Sequence, residues 1–422
     1  MEDKVYCCID LKSFFASVEC VDRGLDPFKV NLVVADVERS VGTICLAVSP
    51  AMKELGIKNR CRIFEIPKSI EYIVAKPRMK LYMEKSAEIY GIYLDYISPE
   101  DIHVYSIDEC FIDLTDYVKI YGKDPIELAK MLTGEVYKRT GIRATVGVGT
   151  NMFLTKLALD ITAKHAKDFI GYLNQEEFRK TLWHHRPITD IWNIGPGIAK
   201  RLERLGAYDL YGVTKIDESI LYKEFGINAE LIIDHAHGIE PCTIKDIQNY
   251  KTKNSSLSNG QILFSDYSLE DAFTVLKEMV EALVLELVEK DLVTNGISLG
   301  VGYADKSIKM TGGSLKLDKY TNSYKHIIGY FEDFYNSTTL KDQPIRRLNV
   351  GLNNVVSEEY TTIDLFTDFE AEKREKDLQK TLIRIKYKYG KNSILKGNSF
   401  REKATARDRN RMIGGHLSGE DE

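Results

Sequence analysis

The sequence predicts an α+β protein of several domains, and three observations carry that reading. Two segments nearly a hundred residues apart, around Asp10 and around Asp108-Glu109, set carboxylates at the ends of strand-like apolar runs. Residues 175–245 show only helical patterning. From Gln261 to Leu352 strand and helix patterns follow a βαββαβ order, that of a split motif. At 422 residues the chain exceeds one ordinary core, and about two to four domains are expected.

Taken in order, Val5–Ile9 reads as a buried strand ending at Asp10, followed by Phe14–Val21. A second small unit runs through Asn31–Val37, Thr43–Val48 and a short helix near Ala51–Leu55. From Pro77 the chain returns to the sheet with a helix over Met79–Tyr96. His103–Ile107 and Cys110–Leu114 read as strands joined by a two-residue turn, Asp108-Glu109. Pro125–Thr140 is a helix with Pro at its start and Gly141 past its end. Strand Arg143–Val148 and a helix near Asn151–Lys164 complete this part.

The polar stretch Asn249–Asn259 reads as a linker. Beyond it come strand Gln261–Phe264, helix Leu269–Leu292, strands Gly296–Tyr303 and Ile308–Leu317, helix Ser323–Asn336 and strand Ile345–Leu352. A highly charged tail follows from about Ile363, and no tandem repeat or long low-complexity segment occurs.

Composition narrows the function. No apolar run approaches the roughly 20 residues that span a bilayer, and MEDKVYCCID passes into a strand with no signal-peptide pattern, so a cytoplasmic protein without membrane partners is expected. Seven cysteines form no CxxC pair and no Cys/His cluster, which argues against a zinc site and a disulfide framework. The net charge of −5 is unevenly spread. From Lys380 to Arg411 eleven Lys and Arg face two acids, and Lys306, Lys309, Lys316, Lys319, Arg346 and Arg347 fall on predicted strands. A polyanion would feel that basic sheet rather than the average, although a single lysine is more often part of an ordinary solvated face.

Three carboxylates on neighbouring strand ends, Asp10, Asp108 and Glu109, can hold two Mg²⁺ ions about 3.5–4 Å apart across a phosphoryl-transfer centre. The plain alternative makes Asp10 a helix cap and Asp108-Glu109 an acidic turn. Ile194-Gly195-Pro196-Gly197-Ile198-Ala199-Lys200-Arg201 offers a glycine turn whose following amides point at an anion, or a simple helix connector.

DLKSFFASVE from Asp10 and YSIDECFIDL from Tyr105 together resemble the Y-family translesion DNA polymerases, in particular the UmuC-like branch of Gram-positive bacteria and their mobile elements. The resemblance covers roughly residues 1 to 366. It implies a ferredoxin-like palm (1–14 and 77–174), small fingers (15–76), a thumb with a helix-hairpin-helix (175–245), a linker (246–260), a little finger (261–360) and a tail with a clamp motif (361–422). It further implies error-prone, template-directed synthesis from deoxynucleotides past DNA lesions, in the SOS response, with low processivity and no proofreading.

Residue by residue, the resemblance makes Asp10, Asp108 and Glu109 catalytic and, with the Leu11 carbonyl, ligands of two Mg²⁺, for which Mn²⁺ can substitute. Phe15 matches an aromatic gate that excludes the 2′-hydroxyl, while Phe14 faces the core. Lys53 takes the place of a fingers arginine and Pro50 that of a tyrosine, so one triphosphate contact is lost and the other changes geometry. Lys164 matches a second phosphate-binding lysine. Gly195, Gly197, Lys200, Arg201, Lys306, Lys309, Lys316, Arg346 and Arg347 are the expected DNA contacts. Ile363, Leu365 and Phe366 resemble a bacterial sliding-clamp motif with Thr362 replacing its usual Gln; packing of the three on the little finger is the alternative. Expected partners are primer–template DNA, deoxynucleotides, the clamp, and a recombinase filament or other damage-response proteins. Two rivals stand beside this: a nucleotidyl cyclase, whose signature hairpin is absent, and a catalytically silent DNA-binding scaffold, which has no chemical need for all three carboxylates.

Overall fold

The computed structural model describes residues 4–38, 42–164, 166–252, 255–361 and 368–419. These form two units: the first spans the chain to Tyr250 and takes in His416 onward, and the second spans Lys251–Gly415.

In the first unit the chain runs β1 (Tyr6–Leu11), α1 (Phe14–Asp22), β2 (Leu32–Val34), β3 (Ala47–Val48), α2 (Pro50–Glu54), β4 (Ile73–Ala75) and α3 (Met79–Leu94). It continues with β5 (Ile102–Val104), β6 (Glu109–Asp113), α4 (Thr115–Tyr121), α5 (Pro125–Thr140), β7 (Ala144–Gly149), α6 (Met152–Leu157) and β8 (Ile170–Leu173). Five strands make one sheet in the order β5-β6-β1-β7-β8, with β1 antiparallel to both β6 and β7. β1 is central because Tyr6, Cys7, Cys8 and Ile9 bury on both faces, leaving polarity to begin at Asp10. A three-stranded sheet, β3-β2-β4, forms its own small core around Val33, Val48 and Met52.

Local chemistry explains the helix boundaries. The Asp124 carboxylate accepts from the Ile126 and Glu127 amides (2.8 and 2.9 Å), Pro125 opens α5, and Gly141 closes it at φ 71°. Asn151 caps α6 by accepting from the Leu154 amide at 2.8 Å. Past Leu157 the expected single helix becomes a π-helical turn, Ala158–Ala163, and the strand β8 after it was not legible in the sequence. The turn lies so close to the sheet that a Cβ at Gly147 would overlap the Leu159 amide nitrogen, and one at Gly171 the Ala158 carbonyl.

The rest of the unit is helical: α7 (Gln175–Thr181), α8 (Pro196–Arg204), α9 (Leu210–Val213), α10 (Glu218–Phe225), α11 (Asn228–Ala236) and α12 (Ile244–Asn249). Phe178, Leu202, Leu221 and Ala236 bind these helices to Phe153 and Leu157 in one core. The residues closing the described chain belong here too, since the Lys80 amide at the start of α3 donates to the Ser418 carbonyl at 2.9 Å.

The second unit has the expected βαββαβ order: β9 (Leu257–Tyr267), α13 (Leu269–Glu289), β10 (Leu292–Tyr303), β11 (Thr311–Thr321), α14 (Tyr324–Thr338) and β12 (Ile345–Asn353). All neighbours in the β11-β10-β12-β9 sheet are antiparallel. Leu263, Ile297, Leu299, Leu348 and Val350 bury one face beneath Val275 and Leu287 of α13 and Phe331 of α14. Alternation gives the other face Gly260, Ser298, Gly300, Arg347, Asn349 and Gly351. There Ser258, Gly260, Ser298, Gly300 and Asn349 line an open groove of about 380 Å³.

Residues 368–415, the described part of the charged tail within this unit, are folded onto it. Helix α15 (Phe369–Tyr389) pairs Glu372 with Lys319 (3.0 Å) and Lys376 with Glu358 (2.5 Å). Further on, the Thr405 and Ala406 amides both donate to the buried Glu278 carboxylate at 2.9 Å. Arg409 donates to Gln261 (2.6 Å) and Asn259 (2.8 Å). The clamp-like residues Thr362, Ile363, Leu365 and Phe366 lie outside the described residues.

Candidate active site

The register of β1 against β6 sets Asp10 opposite Glu109, so both side chains leave the same face of the sheet. The Leu11 amide donates to the Asp108 carbonyl at 2.9 Å, which fixes the loop before β6 against the end of β1. The connection differs from the two-residue turn expected. It spans Tyr105–Asp108, with the Tyr105 and Ser106 amides both donating to the Glu109 carbonyl (2.9 and 3.0 Å), and Glu109 already begins the strand. Ser106 Oγ donates to Asp108 Oδ1 at 2.7 Å and stiffens this loop.

Electrostatics mark the cluster as incomplete. Burial, then Asp108 and Glu109, push the Asp10 carboxyl up to about 7, against an opposing pull from Lys156. Glu109 is held by Lys156 Nζ at 2.7 Å and accepts from Cys8 Sγ at 3.1 Å, and Lys156 also reaches Asp160 at 3.1 Å. Burial lowers the Lys156 pKa, but Cys8, Glu109 and Asp160 outweigh it, and the ammonium is stabilised. No three His, Cys, Asp or Glu side chains stand in metal-holding array among the described residues. The donors nonetheless suit a hard cation: all are oxygens, and the excess negative charge felt by Asp10 is what a divalent ion would relieve.

Phe14 and Phe15 differ in burial. Ser13 adopts φ 47° before α1, Phe14 is buried at 2% exposure, and Phe15 remains partly open. Phe15 stacks on Tyr82 of α3 with ring centroids 4.7 Å apart and planes at 24°. Tyr82 donates to Glu19 at 2.6 Å, and Arg78 grips the same carboxylate through two bonds of 3.0 and 2.7 Å.

The lysines gather around the same acids. Pro50 is the first residue of α2, where Ser49 accepts from the Met52 amide (3.3 Å), and one turn on stands Lys53, exposed as a residue yet partly desolvated by the protein around its ammonium. Its pKa is lowered by that desolvation, with Asp10 opposing and Lys164 adding to the shift. Lys12, absent from the sequence reading, is lowered first by burial and then by Lys53, against Asp10, and its ammonium lies 4.0 Å from the Phe169 ring centroid. Lys164 ends the π turn and faces Asp160 at 3.6 Å. Lys12, Lys156 and Tyr82 are the functional candidates missed in the sequence; the spacing Lys156-x₃-Asp160-x₃-Lys164 on one helix face was the available signal for Lys156.

Gly195 is the N-cap of α8, and space is open beside Gly195 and Gly197. The helix before that turn is only a single 3₁₀ turn, Ile188–Asp190. Lys200 is on α8, whereas Arg201 is committed to Glu224 (2.7 Å) and sits over the Phe225 ring (4.3 Å). Lys316 lies on β11, and Arg346 and Arg347 lie on β12, where Arg346 bonds Asp266 (3.3 Å) and Arg347 bonds Asn349 (3.3 Å). Lys306 and Lys309 are not on strands as expected, but in the connection from β10 to β11, because the alternating pattern stops at Tyr303. Lys319 points away from the open face, toward Glu372.

The chain matches the impB/mucB/samB family over residues 9–160 and that family's C-terminal domain over residues 254–365. It is 34% identical over 421 residues, 97% of each chain, to UvrX of Bacillus subtilis (strain 168), a protein named for UV-damage repair. It is 31% identical to DNA polymerase IV 2 of Halalkalibacterium halodurans, over 98% of this chain and 99% of that one. Among solved structures, the Y-family DNA polymerase chimera Dbh-Dpo4(243-245)-Dbh shares its fold at a TM-score of 0.65 and 23% identity, covering 84% of this chain and 99% of the chimera. The chain therefore belongs to the impB/mucB/samB family and is a Y-family DNA polymerase.

Proposed function

We propose that this chain extends a primer 3′ end on a template strand, inserting deoxynucleotides opposite damaged bases as part of a cytoplasmic SOS response. One observation carries the reading: Asp10, Asp108 and Glu109 converge at the open ends of β1 and β6, with the Asp10 carboxyl raised by its neighbours. Asp10 and Asp108, with Glu109 and the Leu11 carbonyl, would hold two Mg²⁺ or Mn²⁺ ions. Bound there, the ions would lower the pKa of the attacking hydroxyl and neutralise the leaving pyrophosphate.

The chain's own groups orient the rest. Lys12, Lys53 and Lys164 supply three ammonium groups beside the carboxylates for a triphosphate, in place of the bidentate contact an arginine would make. Phe15, backed by Tyr82, would press its ring against the sugar and leave no room for a 2′-hydroxyl. On this reading the five-stranded sheet with its helices is the palm, the β3-β2-β4 part the fingers, the helices α7 to α12 the thumb, and the βαββαβ unit the little finger. The glycine and serine floor beside Arg347 and Asn349 lets a phosphate backbone approach the sheet closely.

A clamp contact through Ile363, Leu365 and Phe366 remains part of the proposal and would raise local enzyme concentration at the primer end. The test is primer extension on undamaged and abasic templates with Mg²⁺. Asp108→Ala should cut synthesis by at least about 100-fold, and full extension by that variant overturns the assignment.

A further inference from the structure

Helix α15 is divided along its length. Its first half is neutralised: Glu372 by Lys319, Lys376 by Glu358, and Glu375 by the Ser323 hydroxyl (2.7 Å) and the Lys325 amide (3.0 Å). Its second half carries Arg384, Tyr387 and Lys388 at helical i, i+3, i+4 spacing, with Tyr389 at its end and Lys391 just beyond. None of Arg384, Lys388 and Lys391 has an acidic partner among the described residues. Tyr387 is 91% exposed and Tyr389 65%.

A second segment is stitched beside this end. Asn392 donates to the Arg407 carbonyl at 3.0 Å, and Asn410 donates to the Lys391 carbonyl at 3.3 Å. Arg407 in turn lies over the ring of Phe400, itself 64% exposed, and Lys388 over that of Tyr389. Cations and bare rings from two chain segments thus form the surface around this end of α15, with Tyr387 and Tyr389 on different sides of the helix.

We propose that this surface binds single-stranded nucleic acid, apart from the primer–template itself. A face that merely keeps the protein soluble needs the lysines and arginines but not three large exposed rings. Rings with cations between them match a strand whose bases are unpaired, since each base offers a flat face to stack on and each phosphate a negative charge. A duplex would offer the charges but hide the faces. The proposal rests on the chain acting on DNA.

The test uses the full chain saturated with a hairpin primer–template of short overhang, then titrated with fluorescent (dT)20 in anisotropy. Wild type should still capture (dT)20, and Tyr387→Ala with Tyr389→Ala should weaken that capture by at least about tenfold while hairpin extension is unchanged. Lys388→Gln with Lys391→Gln should reduce the slope of log affinity against log salt by about 1.4. Each variant's melting temperature checks that the tail stays folded. If the loaded wild type ignores (dT)20, or binds duplex or an acidic polypeptide as well as it binds (dT)20, the proposal is overturned. If it fails to bind the hairpin at all, the polymerase reading itself falls instead.

Discussion

Two acids of the first unit, Glu19 and Asp10, solve burial in opposite ways. Glu19 is 0% exposed, and although burial pushes its carboxyl up, hydrogen bonds from Arg78, Tyr82 and Arg23 bring it below the usual range. Burial pushes the Asp10 carboxyl up as well, but the charges that act on it most strongly are two more carboxylates, and it rises to about 7. The first acid is finished by the protein and the second is left for something else to finish. On the proposed reading, stability and chemistry fall to different carboxylates only nine positions apart in the sequence.

The largest expected effect comes from removing the unfinished charge. Asp10→Asn should lose at least about 100-fold in primer extension, yet the metal-free protein should melt no lower than wild type above pH 7. A variant that extends normally, or that unfolds, would erase the contrast.

Glu19 should behave in the opposite sense. Glu19→Ala leaves the buried Tyr82 hydroxyl without its acceptor and leaves Arg78 only its bond to Asp22 (2.7 Å), and should destabilise the first unit by about 1–3 kcal/mol, read by urea denaturation. A loss below about 1 kcal/mol would mean that the buried pair costs as much as it contributes.

The same brace predicts a subtler change in selectivity. Phe15→Ala should raise ribonucleotide incorporation by at least about tenfold while deoxynucleotide incorporation survives, measured as the ratio of kcat/KM values. Unaltered discrimination would make Phe15 a packing residue that merely covers Tyr82.

The smallest effect is in the pH dependence of the melting temperature with EDTA present. Because the Asp10 pKa is raised on folding, the folded state holds an extra proton between the ordinary carboxylate range and about 7, so this group makes stability fall as pH rises through that window. Glu19, lowered on folding, contributes above its ordinary range and loses its contribution as pH falls through its folded value. Mg²⁺ should raise the melting temperature at pH 8 in wild type and much less in Asp10→Asn. Equal shifts in both proteins would place the ion elsewhere.

Much of this was legible in the sequence where a local rule governed the outcome. α5 begins and ends where its proline and glycine predict, and the second unit keeps its predicted order because strand alternation and helical period are both strong there. Asp10 and Glu109 face one another because a strand and its neighbour set side-chain direction by simple alternation. What escaped needed tertiary knowledge. The i, i+4 spacing of Lys156 and Asp160 signals their pairing but not the burial of Lys156 against Glu109, and Lys12 is a charged residue in a motif read for its acids and its aromatic pair. The π turn and β8 depend on how closely glycines let the helix settle, which no periodicity records. The tail reads as solvated charge because its partners, Lys319, Glu278 and Gln261, lie 53 to 148 residues upstream.

Gly419 sits at φ +83° with its Cα so near Arg78 that any Cβ there would overlap the arginine's own backbone and stem. Arg78 holds Glu19, Glu19 holds the Tyr82 hydroxyl, and Tyr82 lies flat against Phe15. Measured along the polypeptide, Phe15 and Gly419 are almost as far apart as two residues of this chain can be. In space three side chains, Arg78, Glu19 and Tyr82, join them, so that a methyl group added at residue 419 would meet the first member of a row of contacts that ends on the Phe15 ring.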